Sequence, residues 1–516
     1  MSQPTRRTAR RFDACPLSRR GFLAGCAACA AAGARSLGAQ EAAKPRVRLV
    51  FTHIPRGRPT WPYSTYDYEG RKKELTARLA KACPDVDFLP ATAHNQGEAK
   101  KLLERDDEVD GYLVYMVGIW TRAPQTIGAA GKPTLFVDDL YAGSGEFLIA
   151  YAAARRRGWK VEGISSSRFD DVAAAARCFT ILKQPDGSPE AFLEAVRKSR
   201  RANTPEPGDL ACKDDPVACV PMAECQKKLR ASKVLTVGGG WGMPRSGKAI
   251  AEVFGTEVVR IEFKELHQAY LEADRDEARA WADRWSKDAA RIVEPSREDI
   301  EKSGAMYLGM LKVLERRGAN AITINCLGGF YGNHLQAYPC LGFRQLNDDG
   351  LVGACESDLF STITMLAVGA LTGRPGFISD PVMDTARRHI IYAHCVGPTK
   401  VFGPDGASNP YHIRSHSEDR KGAAIRSLLP LGYLTTTVET RPRRREIILH
   451  QGKSAENVDE DKACRTKLAV EPLGDYEKLF DYWDRWGWHR VTFYGDLAEP
   501  VRQLAKAHGL RVVEEA

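Results

Sequence analysis

The segment GACESDLFSTITMLAVGALTG, Gly353 to Gly373, places two carboxylates, Glu356 and Asp358, at the mouth of a run that carries no charge. GLVGAC before them reads as a short strand, and the uncharged run after them as a helix that stops at Gly373, with Pro375 beyond it. A buried strand that leads straight into a buried helix is the junction of a parallel α/β sheet. Asp358 falls at or near the helix N-cap, where Asp is a preferred residue and the helix dipole favours its ionised form. A carboxylate so placed suits a structural cap and a hard-metal ligand alike.

Upstream, the same alternation repeats. RVRLVFT (46–52), DGYLVYMVG (110–118), KPTLFVDD (132–139) and the region of WKVEGISS (159–166) are strand candidates with amphipathic stretches between them, so residues 45–200 read as one doubly wound α/β domain. A polar linker, 201–227, contains NTPEPGD and three cysteines, Cys212, Cys219 and Cys225, for which a loop with or without one disulfide is expected. A second α/β domain, 228–345, begins with KVLTVGGGWGMP and ends after ANAITINC (319–326). Its glycine run, Gly238 to Gly242, matches neither the dinucleotide fingerprint nor the P-loop and reads as a tight turn at a strand end. That end is where open α/β sheets bind ligands.

Downstream, residues 346–516 change texture. PGFISD (375–380), RHIIYAHC (388–395), GYLTTTVE (432–439), REIILHQG (445–452), RTKLAVEP (465–472) and HRVTFYGD (489–496) are short β-like runs, followed by a helix (500–509) and a last strand, LRVVEE. The expected fold class is therefore α/β: two tandem doubly wound parallel-sheet domains followed by a β-rich, barrel-like C-terminal domain.

The first 39 residues combine a basic region, Ser18-Arg19-Arg20-Gly21-Phe22-Leu23, an Ala-rich stretch and Leu37-Gly38-Ala39, the pattern of a twin-arginine export signal. Leu23-Ala24-Gly25-Cys26 also matches a lipoprotein cleavage box, ranked second because the apolar run before Cys26 is short. The expected partner is the twin-arginine export machinery, and the expected location periplasmic or otherwise exported. Without this segment the chain has 68 basic and 65 acidic residues, a balance that excludes an electrostatic argument for nucleic acid. No later segment reaches the length of a membrane span. Cys83, Cys178, Cys326, Cys340, Cys355, Cys395 and Cys464 are scattered through apolar surroundings and read as buried thiols.

Seven of the eleven histidines lie beyond residue 388. His394, in YAHCVG, and His489, in WGWHRVTFYGD, adjoin β-like runs, whereas His389 and His508 read as surface.

Cys355-Glu356-Ser357-Asp358 followed by TMLAVGALTGRPGFISD resembles the CExD…ML…LTG.P…D signature of the L-fucose isomerase-like proteins, related to the L-fucose and L-arabinose isomerases. PCLGFRQLNDDGLVGA (339–354), YAHC (392–395) and GWHRVTFYGD fit the same pattern, and the similarity extends over nearly the whole chain after the leader. The resemblance implies an aldose–ketose isomerase with a divalent metal, usually manganese, between the second α/β domain and the C-terminal domain, and a homo-oligomer with a small-molecule sugar as partner. It implies Asp358 as a metal ligand and His489 as the late histidine that completes the set. Chemically this is coherent, since a hard cation on carboxylate and imidazole polarises a sugar carbonyl and a neighbouring carboxylate moves the proton through an enediol. One departure stands out. The family's second carboxylate is missing from CLGGFYGNHLQAYPC (326–340), where His334 or Gln336 holds the approximate place. His334 and Glu356 are thus the candidates for the catalytic proton transfer, and His394 and His416 for substrate binding. Two rivals follow: a sugar-binding protein that lost catalysis, and a lyase or epimerase using the same metal for enolate chemistry.

Overall fold

In the computed structural model, residues 43–239 and 243–516 are described. The leader read as an export signal and Gly240, Trp241 and Gly242 lie outside them. The chain is a mixed α/β protein with two parallel sheets and a closed six-stranded barrel, and Lys44–Ala516 cluster as one unit.

The first sheet is formed by β1 (Arg46–Thr52), β2 (Asp87–Ala93), β3 (Gly111–Met116), β4 (Thr134–Asp138) and β5 (Val161–Ile164), all parallel, in the order β2-β1-β3-β4-β5. Successive residues of β1 face opposite sides: Val47, Leu49 and Phe51 pack with Leu75, Leu79 and Phe179, while Val50 packs with Phe136 and Phe147. Both faces are apolar, as a parallel sheet requires. The second of these cores also holds Ile390, Leu468 and Trp483 of the C-terminal region, so the first sheet and the barrel share buried side chains.

The second sheet uses β6 (Lys233–Val237), β7 (Glu257–Ile261), β9 (Ala321–Ile324) and β10 (Val352–Cys355), parallel in the order β10-β9-β6-β7. The two-residue β8 (Arg291–Ile292) leaves this unit to pair with β13 (Tyr411–Arg414), whose other neighbour is β14 (Ala424–Ser427). Gly238 and Gly239 have φ of 74° and 79°, the left-handed backbone of a tight turn after β6. Cys212, Cys219 and Cys225 carry no disulfide, and Cys225 is buried in the helix Met222–Ala231 rather than in a loop.

The barrel consists of β11 (Phe377–Asp384), β12 (His389–His394), β15 (Leu434–Arg441), β16 (Glu446–Asn457), β17 (Thr466–Pro472) and β18 (Arg490–Tyr494). They run antiparallel around the ring β15-β18-β11-β12-β17-β16, closed by the β15–β16 pairing. The final strand β19 (Arg511–Glu514) adds in parallel to the start of β16. These are the β-like runs of the sequence; the strands without a counterpart among the candidates are β2, seven residues long, and β8, β13 and β14, two to four residues long.

The helix Leu359–Thr372 connects β10 to this barrel. Asp358 caps it, accepting hydrogen bonds from the backbone N–H groups of Phe360 (2.9 Å) and Ser361 (3.2 Å), and it ends at Gly373 with φ 70°. Ten of its fourteen residues are buried, which is why its sequence lacks a polar face.

Candidate active site

Between Cys355 and Asp358 the backbone takes two consecutive left-handed residues, Glu356 with φ 63° and Ser357 with φ 52°. Neither is glycine, so the turn stores strain of about 1 kcal/mol or more per residue, and such strain collects at functional sites. Its effect is to direct Glu356 away from the helix that Asp358 caps and into a cavity of about 400 Å³.

Three neighbouring barrel strands supply the other groups. His394 ends β12, Asp380 lies within β11, and His489 immediately precedes β18. Glu356, His394 and His489 each present a ligand atom within 4.8 Å of the others. His394 Nε2 is 3.8 Å from Glu356 Oε1 and 4.0 Å from Asp380 Oδ2; His489 Nε2 is 3.6 Å from Glu356 Oε2 and 3.2 Å from Asp380 Oδ1. Both Nε2 atoms are buried without a hydrogen-bond partner, the 3.2 Å approach to Asp380 included, which lacks hydrogen-bond alignment. One carboxylate, Glu356, and two unpartnered imidazoles that converge, with Asp380 beside both rings, are a donor set for a divalent first-row cation.

Asp358 stands behind this group rather than in it. Its Oδ2 accepts from Ser361 Oγ (2.9 Å) and from His489 Nδ1 (3.0 Å). That bond orients the His489 ring and turns Nε2 to the cavity, the carboxylate–histidine arrangement seen behind metal ligands. Although burial opposes it, His489 and Arg441 hold the Asp358 carboxyl far below the usual range. Burial likewise opposes protonation of His489, yet Asp358 and Asp380 hold its pKa well above 6.5. Burial pushes Glu356 well up and His394 down.

The structure does not bring His334 to the cavity. It is exposed, with its ring stacked on Phe263 at 5.0 Å, and Gln336 is exposed as well. His416 does line the cavity, but its Nδ1 is 3.1 Å from Asp419 Oδ1; burial opposes its protonation, and Asp419 and Cys395 raise its pKa to about 10. Beside it Glu418, bonded by Tyr331, is pushed by burial up to about 7.

Sequence reasoning missed two features. Asp380 is the last residue of PGFISD, within the quoted motif but without a role assigned to it. Five thiols that looked scattered, Cys326, Cys340, Cys355, Cys395 and Cys464, all line this one cavity. They come from separate segments, so no spacing could reveal them. The remaining walls are largely apolar, with Trp61 and Trp120 from the first α/β region and Trp488 from the barrel; Trp120 stacks on Trp488 at 5.0 Å.

A metal-capable carboxylate–imidazole cavity, placed where the second parallel sheet meets a barrel, is the class of site present. No family model matches the chain. It is 24% identical over 312 residues to a sulfoquinovose isomerase from Clostridium sp. (strain MSTE9), covering 55% of this chain and 64% of that protein. To the sulfoquinovose isomerases of Alkalicoccus urumqiensis and Priestia megaterium it is 23% and 24% identical over 270 and 259 residues, covering 51% and 48% of this chain. The chain thus spans less than two thirds of these relatives' length, 64%, 59% and 56%. Among solved structures, the XylFII-LytSN complex (15% identity, 55% of this chain and 78% of that one) gives a TM-score of 0.16. A periplasmic solute-binding protein of Actinobacillus succinogenes with bound D-allose (14%, 55% and 77%) gives 0.17. Likenesses at these TM-scores carry no weight for fold or site.

Proposed function

We propose that the chain is a metal-dependent aldose–ketose isomerase, two tandem α/β domains in front of a barrel, exported in folded form. The observation that carries this reading is the convergence of Glu356, His394 and His489, with Asp380 beside them, in one cavity. The likeness to three sulfoquinovose isomerases supports a sugar as substrate, and the leader of residues 1–39 supports a cargo loaded with metal before export.

In this reading Glu356, His394 and His489 hold the cation, with manganese the expected metal. A divalent cation there would polarise the carbonyl and adjacent hydroxyl of an open-chain sugar and so acidify the hydrogen on the hydroxyl-bearing carbon, C2 of an aldose. Asp380, next to both imidazoles, takes the proton from C2 and returns it to C1 while the hydroxyl proton passes from O2 to O1, giving the enediol route between aldose and ketose. Asp358 accepts from His489 Nδ1, so that Nε2 would be the nitrogen that ligates once a cation is bound. Trp61, Trp120 and Trp488 exclude water and offer flat apolar surface to the C–H face of a sugar. Glu356 thus moves from base to ligand, and Asp358 from ligand to support.

Metal titration of the purified protein tests the reading. Glu356→Gln, His394→Ala and His489→Ala are each expected to weaken Mn²⁺ binding by roughly 100-fold and to abolish isomerisation, while Asp380→Asn keeps most of the metal and loses turnover. Absence of bound Mn, Fe, Co or Zn in the wild type contradicts it, and a metal-free protein that still binds sugars would be the non-catalytic binder.

A further inference from the structure

Arg441, the last residue of β15, lines the same cavity beside Phe360 and Gly487. Its side chain is only 12% exposed, yet among the described residues it makes no hydrogen bond, and its Nε is buried and unpartnered. The nearest carboxylate oxygen, Glu439 Oε1, is 3.6 Å from Nη2, beyond hydrogen-bond reach, and is itself buried without a partner. Glu439 Oε2 is 3.2 Å from Ser361 Oγ, whose one hydrogen goes to Asp358, and burial pushes this carboxyl up to about 8, so at neutral pH it is the donor to that oxygen. Asp358, the other acid nearby, already has its oxygens engaged by Phe360, Ser361 and His489. The cations nearby have partners of their own, Arg490 with Glu515 and Arg444 with Glu446.

The guanidinium is also held in place. It lies 4.6 Å from the centroid of the Phe360 ring, which supports its plane without offering an acceptor. Gly487, with φ 92°, leaves the room it occupies, since a Cβ at that position would run into Nη2. A guanidinium removed from water without an acceptor is costly, and its planar fork matches an oxyanion bidentately, whereas a neutral hydroxyl returns neither charge nor a second acceptor.

We infer that Arg441 anchors an anionic substituent of the substrate, so that this cavity takes acidic sugars carrying a carboxylate, sulfonate or phosphate away from the reacting carbons. This rests on the sugar-isomerase reading for the ligand's identity. Arg441 and the candidate metal ligands Glu356, His394 and His489 line one cavity, so anchor and reacting centre face the same ligand.

Calorimetric titration of the metal-free protein with D-glucose, D-glucuronate, glucose 6-phosphate and 6-sulfo-glucose separates the possibilities. The wild type is expected to bind at least one acidic sugar roughly 10- to 100-fold more tightly than glucose, and the favoured acid names the group. Arg441→Gln, with its fold checked by circular dichroism, should remove that preference, and Arg441→Lys should retain part of it. Equal affinity for glucose and all three acids, or a preference that survives in folded Arg441→Gln, overturns the inference. Preferential binding of acids with no isomerisation under saturating Mn²⁺ supports the anchor and sinks the isomerase reading.

Discussion

Asp358 performs two tasks with one carboxylate, and substitutions can separate them. Asparagine still caps a helix but does not hold His489 as a carboxylate does, so Asp358→Asn should melt within about 0.5 kcal/mol of wild type while Mn²⁺ affinity falls about 10- to 100-fold. Asp358→Ala should lose both, with an additional stability cost of about 1–2 kcal/mol, measurable by denaturant unfolding. His334→Ala, at an exposed ring outside the cavity, should leave metal affinity and turnover unchanged. The cap was legible in the sequence because it depends on local spacing. The direction of Glu356 was not, because two left-handed residues in succession are imposed by the packed junction and not by propensity. Asp380 and the five cavity thiols escaped for a related reason: only barrel closure and the docking of the second sheet bring them together.

Among the elements, all six barrel strands were legible as short β-like runs, whereas β8, β13 and β14 are too short to carry a pattern and β2, DFLPATA, is interrupted by a proline. The last strand has a role its composition hides. Glu515, just beyond β19, is fully buried against Arg490 and His450, with Nε of Arg490 at 3.1 Å and Nδ1 of His450 at 2.9 Å. Burial opposes its ionisation, but Arg490 and His450 outweigh that and hold its pKa down to about 2. A carboxyl whose folded pKa lies below its unfolded value of about 4.3 contributes stability that is complete above that value and is lost as pH falls toward 2. Thermal melts from pH 7 to pH 3 should therefore show wild type losing stability below about pH 5. Glu515→Gln should start lower by about 3 kcal/mol at pH 7 and lose less over the same interval. Parallel slopes for the two proteins would remove Glu515 from this role.

At the level of the whole molecule, the cavity draws its walls from both α/β regions and the barrel, so a ligand that binds there binds only the assembled chain. Mn²⁺ at about 100 times its dissociation constant should then stabilise the protein by about 2.7 kcal/mol, seen as a rise in melting temperature that His394→Ala and His489→Ala lack. The central claim is that these groups move a proton between adjacent sugar carbons. Its most direct test is nuclear magnetic resonance of Mn²⁺-loaded protein, freed of paramagnetic metal after reaction, with acidic and neutral aldoses in D₂O. The account predicts a ketose product with deuterium at C1, absent in Asp380→Asn. Saturated metal with neither ketose nor deuterium in any sugar would contradict it.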